Sequence, residues 1–142
     1  FSYVFEDIKQ YVHTHPDSNI YLYGFVPKED IPQLLKNFDA SIVPLVTHIQ
    51  GAFPSKIYDI ISLGLPVLFC GKGEPADFIT TYQLGYAVTS DDYKALTNNI
   101  QLMCALSDEE YASMSQTCIY VSKTFLDFEK QMIEAFSFIR NI

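Results

Sequence analysis

The sequence contains few basic residues, only three cysteines and no tryptophan. Nine Lys and Arg residues stand against 17 Asp and Glu residues, so the formal net charge at pH 7 is -8. A nucleic-acid groove or a patch for anionic membranes needs a basic surface, and the acidic balance argues against both functions. If the protein binds phosphate, a few neighbouring groups must bind it rather than a broadly basic surface.

The cysteines do not have the pattern of a disulfide framework. Cys70, Cys104 and Cys118 show no Cys-x-x-Cys spacing, and their odd number is typical of free thiols in a reducing compartment. The first ten residues carry acids where a signal peptide carries basic residues. No apolar run approaches the ~18 residues that a transmembrane helix needs. We therefore expect a cytoplasmic protein without a transmembrane segment.

Apolar residues, by contrast, are abundant. Hydrophobic residues make up 49% and charged residues 18% of the 142 positions. This composition can fill a globular interior and excludes a disordered chain. The length is close to the ~150 residues expected of one domain. We predict a single domain over residues 1–142.

Short apolar runs alternate along the chain with segments of helical periodicity. The runs predict strands at 19–23, 40–45, 66–70 and 85–89. The periodic segments predict helices at 2–13, 27–38 and 54–64, from the turn at 71–75 to residue 82, and at 91–103, 108–123 and 126–140. Strands separated by helices imply right-handed crossovers and a parallel sheet. The predicted fold is therefore α/β, a Rossmann-like parallel sheet with helices on both faces.

Ligands of such sheets bind beyond the carboxyl ends of the strands, here at the loops 24–27, 46–53 and 71–75. The middle loop ends in PSKIYD, where a helix begins at Pro54 or Ser55. The start of a helix offers unpaired backbone N–H groups and the positive end of the helix dipole, and Lys56 adds an ammonium group. This combination predicts an anion site.

Asp59 shares one side of this helix with Ser55 and Lys56, at ~100° per residue. A carboxylate one turn inside a phosphate-binding helix can accept hydrogen bonds from vicinal hydroxyls, as the acid of dinucleotide folds does for ribose. The combination indicates a nucleotide diphosphate. In the alternative interpretation Ser55 caps the helix, Lys56 is solvated and Asp59 pairs with Lys56. The spacing of these residues alone does not decide between the two interpretations.

The order of several motifs resembles a known family. NIYLYGFVPKEDIPQLLKNFDASIVPL, then FPSKIYDIISLGLPVLFCGKGEPADFI, then LGYAV lie within about residues 19–125. Together they resemble the C-terminal, donor-binding domain of nucleotide-sugar glycosyltransferases of the GT-B fold, and are most similar to retaining enzymes of glycosyltransferase family 4. The resemblance implies transfer of a hexosyl group from a nucleotide-diphosphate sugar to an acceptor, in polysaccharide or glycoconjugate synthesis.

The resemblance also implies roles for particular residues. Gly24, Phe25 and Val26 match the turn whose backbone and apolar side chains receive the nucleobase. Ser55 and Lys56 match the helix start near the diphosphate. No catalytic base or nucleophile is evident, which agrees with a reaction in which the substrate's own phosphate does much of the work and the protein supplies position and charge stabilisation.

Two positions depart from the family pattern. Asp59 stands where the family usually has the second Glu of an E-x7-E pair, which holds the ribose hydroxyls, and Asp is one methylene shorter. The first acid of the pair falls on Gly51, which has no side chain. The contact of that acid with the donor sugar is therefore lost, or is made by His48, Gln50 or backbone amides.

Part of the family's domain has no counterpart in this sequence. The resemblance implies two further strands, a basic Arg and Lys pair and an N-terminal acceptor-binding domain. We therefore expect a fragment of a larger enzyme that is inactive by itself and has that domain as its partner. Any peripheral membrane contact would lie in the missing half. A bare sheet edge would make the fragment prone to self-association.

The sequence does not predict a metal site, and two functions other than glycosyl transfer stay open. His13, His15 and His48 do not have the spacing of a known metal site, and no Asp-x-Asp occurs, so we predict no metal. The nucleotide-sugar donor is a substrate, and no cofactor is expected. The alternatives are a non-catalytic α/β interaction module, which the loss of an acid at Gly51 favours, and a sugar-nucleotide epimerase of related fold.

Overall fold

The structure is a computed structural model that describes residues 2–45, 51, 53–125, 132–133 and 136–137. The chain forms two compact units, Phe1–Ile31 and Pro32–Ile142. No helix within the described residues is long and apolar enough to cross a membrane.

The first unit consists of one helix followed by an irregular segment. Helix α1 spans Ser2–Thr14, which confirms the predicted helix, and a 3-10 turn follows at Pro16–Ser18. Asn19 ends this turn in the left-handed conformation, with φ of 55°. Residues 19–27 form neither helix nor strand, so the predicted strand at 19–23 is wrong. A strand needs a neighbour that exchanges backbone hydrogen bonds with it, and the local β preference of this segment does not supply one.

Helix α2 is shorter than the sequence predicts. It spans Ile31–Leu35 rather than 27–38. The preceding residues form a turn in which the Asp30 N–H donates to the Pro27 carbonyl at 3.0 Å.

The second unit is built on three parallel strands in the order β1-β2-β3. Strand β1 spans Ser41–Pro44, β2 spans Val67–Cys70 and β3 spans Gly85–Val88. Each observed strand lies inside its predicted range. In the parallel register Val43 pairs with Phe69, and Phe69 pairs with Ala87, so side chains of the three strands share a face.

Helices connect the strands and complete the unit. Helix α3 leads from β1 to β2, and α4 leads from β2 to β3; α5 and α6 follow β3. Their bounds are Ser55–Ser62 for α3, Glu74–Thr81 for α4, Tyr93–Cys104 for α5 and Asp108–Phe125 for α6. The predicted helix 126–140 lies outside the described residues, apart from 132–133 and 136–137.

Strand β2 is at the centre of the core and is buried on both faces. Val67 and Phe69 join one hydrophobic cluster with residues of α3, α4 and α6, namely Ile57, Ile60, Ile61, Ile79, Cys118 and Val121. Leu68 and Cys70 are also buried, and alternation along a strand directs them to the opposite face. Helix α5 contacts β2 and β3, and its buried Met103 lies outside the cluster. These observations confirm an α/β, Rossmann-like parallel sheet with helices on both faces.

Gly85 allows β3 to lie close against β2. Its φ is 141°, and a Cβ built at this position would overlap the carbonyl oxygen of Val67. Because the strands are parallel, α3 and α4 both begin at the edge of the sheet formed by the carboxyl ends of β1 and β2. That edge is where ligands of this architecture bind.

Candidate functional site

The start of α3 lies at the carboxyl edge of the sheet. The apolar side of the helix packs against the core and fixes it there. Pro54 is the N-cap, with φ of −64° and ψ of 114°, and Ser55 is the first helical residue, as the sequence predicts. The Ile57 N–H donates to the Pro54 carbonyl at 3.0 Å. Ile57, Ile60 and Ile61 are buried against the core, so the opposite side of the helix faces solvent.

Three polar side chains occupy the solvent side of this helix. Ser55, Lys56 and Asp59 are all exposed. Ser55 does not cap the helix, because the N-cap is Pro54 and no side-chain capping bond forms. Lys56 and Asp59 do not pair either; within the described residues the ion pair that forms joins Lys9 to Glu6, at 3.2 Å. The two intramolecular contacts of the alternative interpretation are therefore not made.

The electrostatics of this helix start favour an anion. The first N–H groups of a helix have no acceptor within it, and the dipole places partial positive charge there. A lysine in the first turn is unfavourable beside that charge, unless an anion joins it. Lys56 therefore adds to a positive potential that a phosphate group would neutralise.

The first turn of the neighbouring helix α4 carries negative charge, whereas the first turn of α3 carries Lys56. Its N-cap is Gly73, with φ of 82°, and its first turn carries Glu74 and Asp77. Both carboxylates are exposed and already complement the helix dipole. An anion is therefore accommodated better at the start of α3 than at the start of α4.

The loop between β2 and α4 passes close to its neighbours. A Cβ on Gly71 would lie 2.8 Å from the Cζ atom of Phe69 and 3.2 Å from the Cβ of Leu45. A glycine at this position therefore lets the backbone turn directly after β2.

A surface concavity follows the carboxyl end of β3, and the sequence reasoning missed it. It measures about 440 Å³ and is lined by Thr89, Asp91, Asp92, Tyr93 and Lys94. Asp92 is the N-cap of α5 and accepts a hydrogen bond from the Ala95 N–H at 2.9 Å. The signal that could have found this turn is an Asp placed directly before a helical segment.

A second concavity, of about 420 Å³, lies between the turn that precedes β3 and the first half of α6. Its lining includes Gln83, Leu106, Glu109 and Met114. Neither of these two concavities includes a residue of α3.

The other residues implied by the resemblance lie in different settings. Gly24, Phe25 and Val26 belong to the irregular segment of the first unit, where Phe25 is 95% exposed and Val26 is half-buried. Gly51 is exposed in a turn with φ of 76°, and no atom lies within 4 Å of a Cβ built on it. His48 and Gln50 lie outside the described residues.

Across residues 2–45, 51 and 53–125 and the four described positions that follow, no three His, Cys, Asp or Glu side chains converge as metal ligands would.

Comparison with known families identifies the class of protein. Residues 8–118 match the family model of glycosyl transferases group 1, which is more than half of the chain. The chain belongs to the group 1 glycosyltransferases. Searches of curated proteins and of solved structures found no match. The matched range of this group 1 glycosyltransferase domain contains all three strands and α3, so the anion-favouring helix start lies within it. The parallel sheet agrees with the GT-B fold of the group.

Proposed function

We propose that this chain is the donor-binding domain of a retaining glycosyltransferase of family 4. It binds a nucleotide-diphosphate sugar, and the sugar passes to an acceptor in polysaccharide or glycoconjugate synthesis. The observation that carries the proposal is the start of α3, where Ser55, Lys56 and Asp59 are all exposed, Ser55 does not cap the helix, and Lys56 and Asp59 form no ion pair.

Each of these groups has a distinct role toward the nucleotide. The diphosphate accepts hydrogen bonds from the first N–H groups of α3 and from the Ser55 hydroxyl, and the Lys56 ammonium neutralises part of its charge. The Asp59 carboxylate accepts from the ribose hydroxyls. Lys56 and Asp59 are three residues apart, which places their Cβ atoms ~5–6 Å from each other on one helix face. Adjoining parts of one nucleotide can therefore reach both side chains.

The remaining contacts come from loops and from a second domain. The resemblance assigns the nucleobase to Gly24, Phe25 and Val26. At Gly51 there is no acid to contact the donor sugar, so that contact is lost or passes to backbone amides, His48 or Gln50. Transfer requires acceptor and donor to meet in a closed cleft, which an N-terminal acceptor-binding domain provides. The chain alone would then have no transferase activity.

Calorimetric titration of the full-length protein with UDP, GDP and ADP tests this proposal. A hydrogen bond to a charged group contributes ~1.5–3 kcal/mol, and 1.4 kcal/mol is tenfold in affinity. Lys56→Ala should therefore weaken binding of the preferred nucleotide by about tenfold or more. Lys123→Ala, which removes an exposed lysine from the last turn of α6, controls for the loss of one positive charge and should not change the affinity.

The role of Asp59 has a sharper test, because it depends on the ribose. Asp59→Asn should weaken binding of the preferred nucleotide but leave binding of its 2′,3′-dideoxy analogue unchanged. The difference between the two ligands isolates the contact of the carboxylate with the hydroxyls. Asp108→Asn, in the first turn of α6, controls for the loss of one charge. An equal effect of Asp59→Asn on both nucleotides would contradict the role.

A second candidate function rests on Gly51. A non-catalytic α/β interaction module would have no need of the first acid of the pair, and glycine fits the positive φ of that turn. If the full-length protein binds no nucleotide at millimolar concentration and transfers no sugar, this second function is favoured. An epimerase would instead interconvert the free nucleotide sugar without an acceptor, and the family match supports transfer over that reaction.

A further inference from the structure

A continuous set of aromatic rings runs through the second unit from α3 to the end of α6. Its members, here called the aromatic set, are Phe53, Tyr58, Phe78, Tyr82 and Phe125. Neighbouring ring centroids are separated by 4.7 Å for Tyr58 and Phe53, 5.3 Å for Phe53 and Phe78, 4.9 Å for Phe78 and Tyr82, and 4.9 Å for Tyr82 and Phe125. Aromatic pairs attract one another at these separations.

Phe53 has a special place in the set, because it precedes the N-cap of α3. Its ring stacks on Tyr58 with an interplanar angle of 8° and meets Phe78 of α4 edge-on, at 89°. With Pro54 as N-cap, Phe53 is the residue before the cap and Tyr58 is the fourth helical residue. A hydrophobic contact between these two positions is a hydrophobic staple, which fixes the angle at which a chain enters a helix.

The start of α3 has no side-chain cap that could fix it in place of the staple. Pro54 has no side-chain group that could bond the first N–H groups, and the Ile57 N–H donates to the Pro54 carbonyl. Phe53 and Phe78 also pack against the hydrophobic core. The Phe53 ring therefore ties the loop before α3 to the two helices that begin at the carboxyl edge of the sheet.

We propose that Phe53 is a positioning residue for the nucleotide donor. Its ring, stapled to Tyr58 and supported by Phe78, sets the direction of the first N–H groups of α3 and the place of the Lys56 ammonium. Phe53 itself does not touch the ligand. This inference rests on the proposed function, since it assigns a donor diphosphate to that helix start.

The test compares two variants that each remove one ring of the set. Phe53→Leu removes the ring that stacks on Tyr58 and meets Phe78. Tyr82→Leu removes a ring whose aromatic contacts are with α4 and α6. Nucleotide affinity of the full-length protein is measured by calorimetry, and the urea midpoint of each variant is measured beside it. Loss of one hydrogen bond to a charged group is about tenfold in affinity, so we expect Phe53→Leu to weaken nucleotide binding by about tenfold. Tyr82→Leu should lower the urea midpoint without changing affinity.

Two further measurements separate positioning from general stability. Phe53→Tyr keeps the ring and should restore wild-type affinity. Hydrogen exchange at the Ile57 amide reports the first turn of α3 without any ligand, and it should accelerate in Phe53→Leu but not in Tyr82→Leu. If Phe53→Leu does not fold, Phe78→Leu removes the supporting ring from α4 and should weaken binding in the same way.

The outcomes distinguish this inference from the proposed function. If the unsubstituted protein binds the nucleotide and both leucine variants bind it equally well, the positioning role is refuted and the proposed function stands. Equal weakening in both variants, in step with their urea midpoints, also refutes the positioning role. If the unsubstituted protein binds no nucleotide, both the proposed function and the inference fail.

Discussion

Gly85 offers the most direct test of how the sheet is held together. It is the first residue of β3 and pairs with Val67 of the central strand. In Gly85→Ala the new methyl group would overlap the Val67 carbonyl oxygen and would lie 2.8 Å from the backbone nitrogen and carbonyl carbon of Val67. These are backbone atoms of a buried strand, so they cannot rotate away as a flexible side chain could. The two strands would have to separate.

The expected loss of stability has two parts. A side chain held at an unfavourable φ, here 141°, costs ~1–3 kcal/mol. Separation of the strands also breaks the bond from the Val67 N–H to the Leu84 carbonyl, now 2.9 Å, and a buried group left without its partner costs ~1–3 kcal/mol. The sum is ~2–6 kcal/mol, a large share of the ~5–15 kcal/mol that stabilises a typical domain.

Urea unfolding followed by far-ultraviolet circular dichroism measures this loss. With a slope of ~1–3 kcal/mol per molar urea, the midpoint of Gly85→Ala should fall by at least ~0.7 M, or the variant should fail to fold. Gly24→Ala is the matched control, because no atom lies within 4 Å of a Cβ at that position. A Gly85→Ala midpoint within experimental error of the unsubstituted protein would refute the argument.

Three further predictions concern a helix cap, a carboxylate and the cysteines. Asp92→Ala removes the side chain that caps α5 and should lower the free energy of unfolding by ~1 kcal/mol, measured in urea against Asp91→Ala; an equal loss in both would contradict the cap. Hydrogen bonds from the Ser107 N–H and hydroxyl, each 2.8 Å, hold the pKa of Glu110 below its ordinary value. The stability they contribute is therefore present above the unfolded pKa of Glu110 and lost as pH falls through the folded pKa. Ser107→Ala removes the hydroxyl bond but keeps the N–H bond, so it should reduce the change of the urea midpoint over that pH range without abolishing it. Burial raises the pKa of Cys118 to about 12, so an alkylating reagent at pH 8 should modify the exposed Cys104 first and Cys118 only on unfolding; mass spectrometry showing equal rates would contradict the packing.

The strand that the sequence predicts most directly is β2. Residues 66–70 are apolar at successive positions, which suits a strand covered on both faces, and all four residues of β2 are buried. Residues 40–45 are apolar apart from Ser41, and β1 lies there with Val43 as its buried residue. Residues 19–23 have similar β preference but form no strand. Preference is a local property, whereas pairing depends on a neighbour elsewhere in the chain, and no local pattern reports whether that neighbour is in place.

The candidate site, like the strands, is predicted from the sequence only in part. Helical periodicity correctly predicts where α3 begins and that Ser55, Lys56 and Asp59 share its solvent side. The sequence does not predict that Phe53 lies between α3 and α4, because that contact joins residues 25 positions apart through the fold. It also does not predict the left-handed turn after α4, since Gln83 with φ of 55° occupies a position where glycine is the usual signal.

The aromatic set also provides a spectroscopic signal for the side-chain packing of this protein. Because the chain has no tryptophan, its near-ultraviolet circular dichroism arises mainly from tyrosine and phenylalanine rings. Rings in fixed surroundings produce such a signal and lose it when side-chain packing loosens, even while helices persist. Tyr58 and Tyr82 are each held against another ring of the set, at 4.7 and 4.9 Å. The contacts among α3, α4 and α6 therefore carry their own optical signature, separate from helix content.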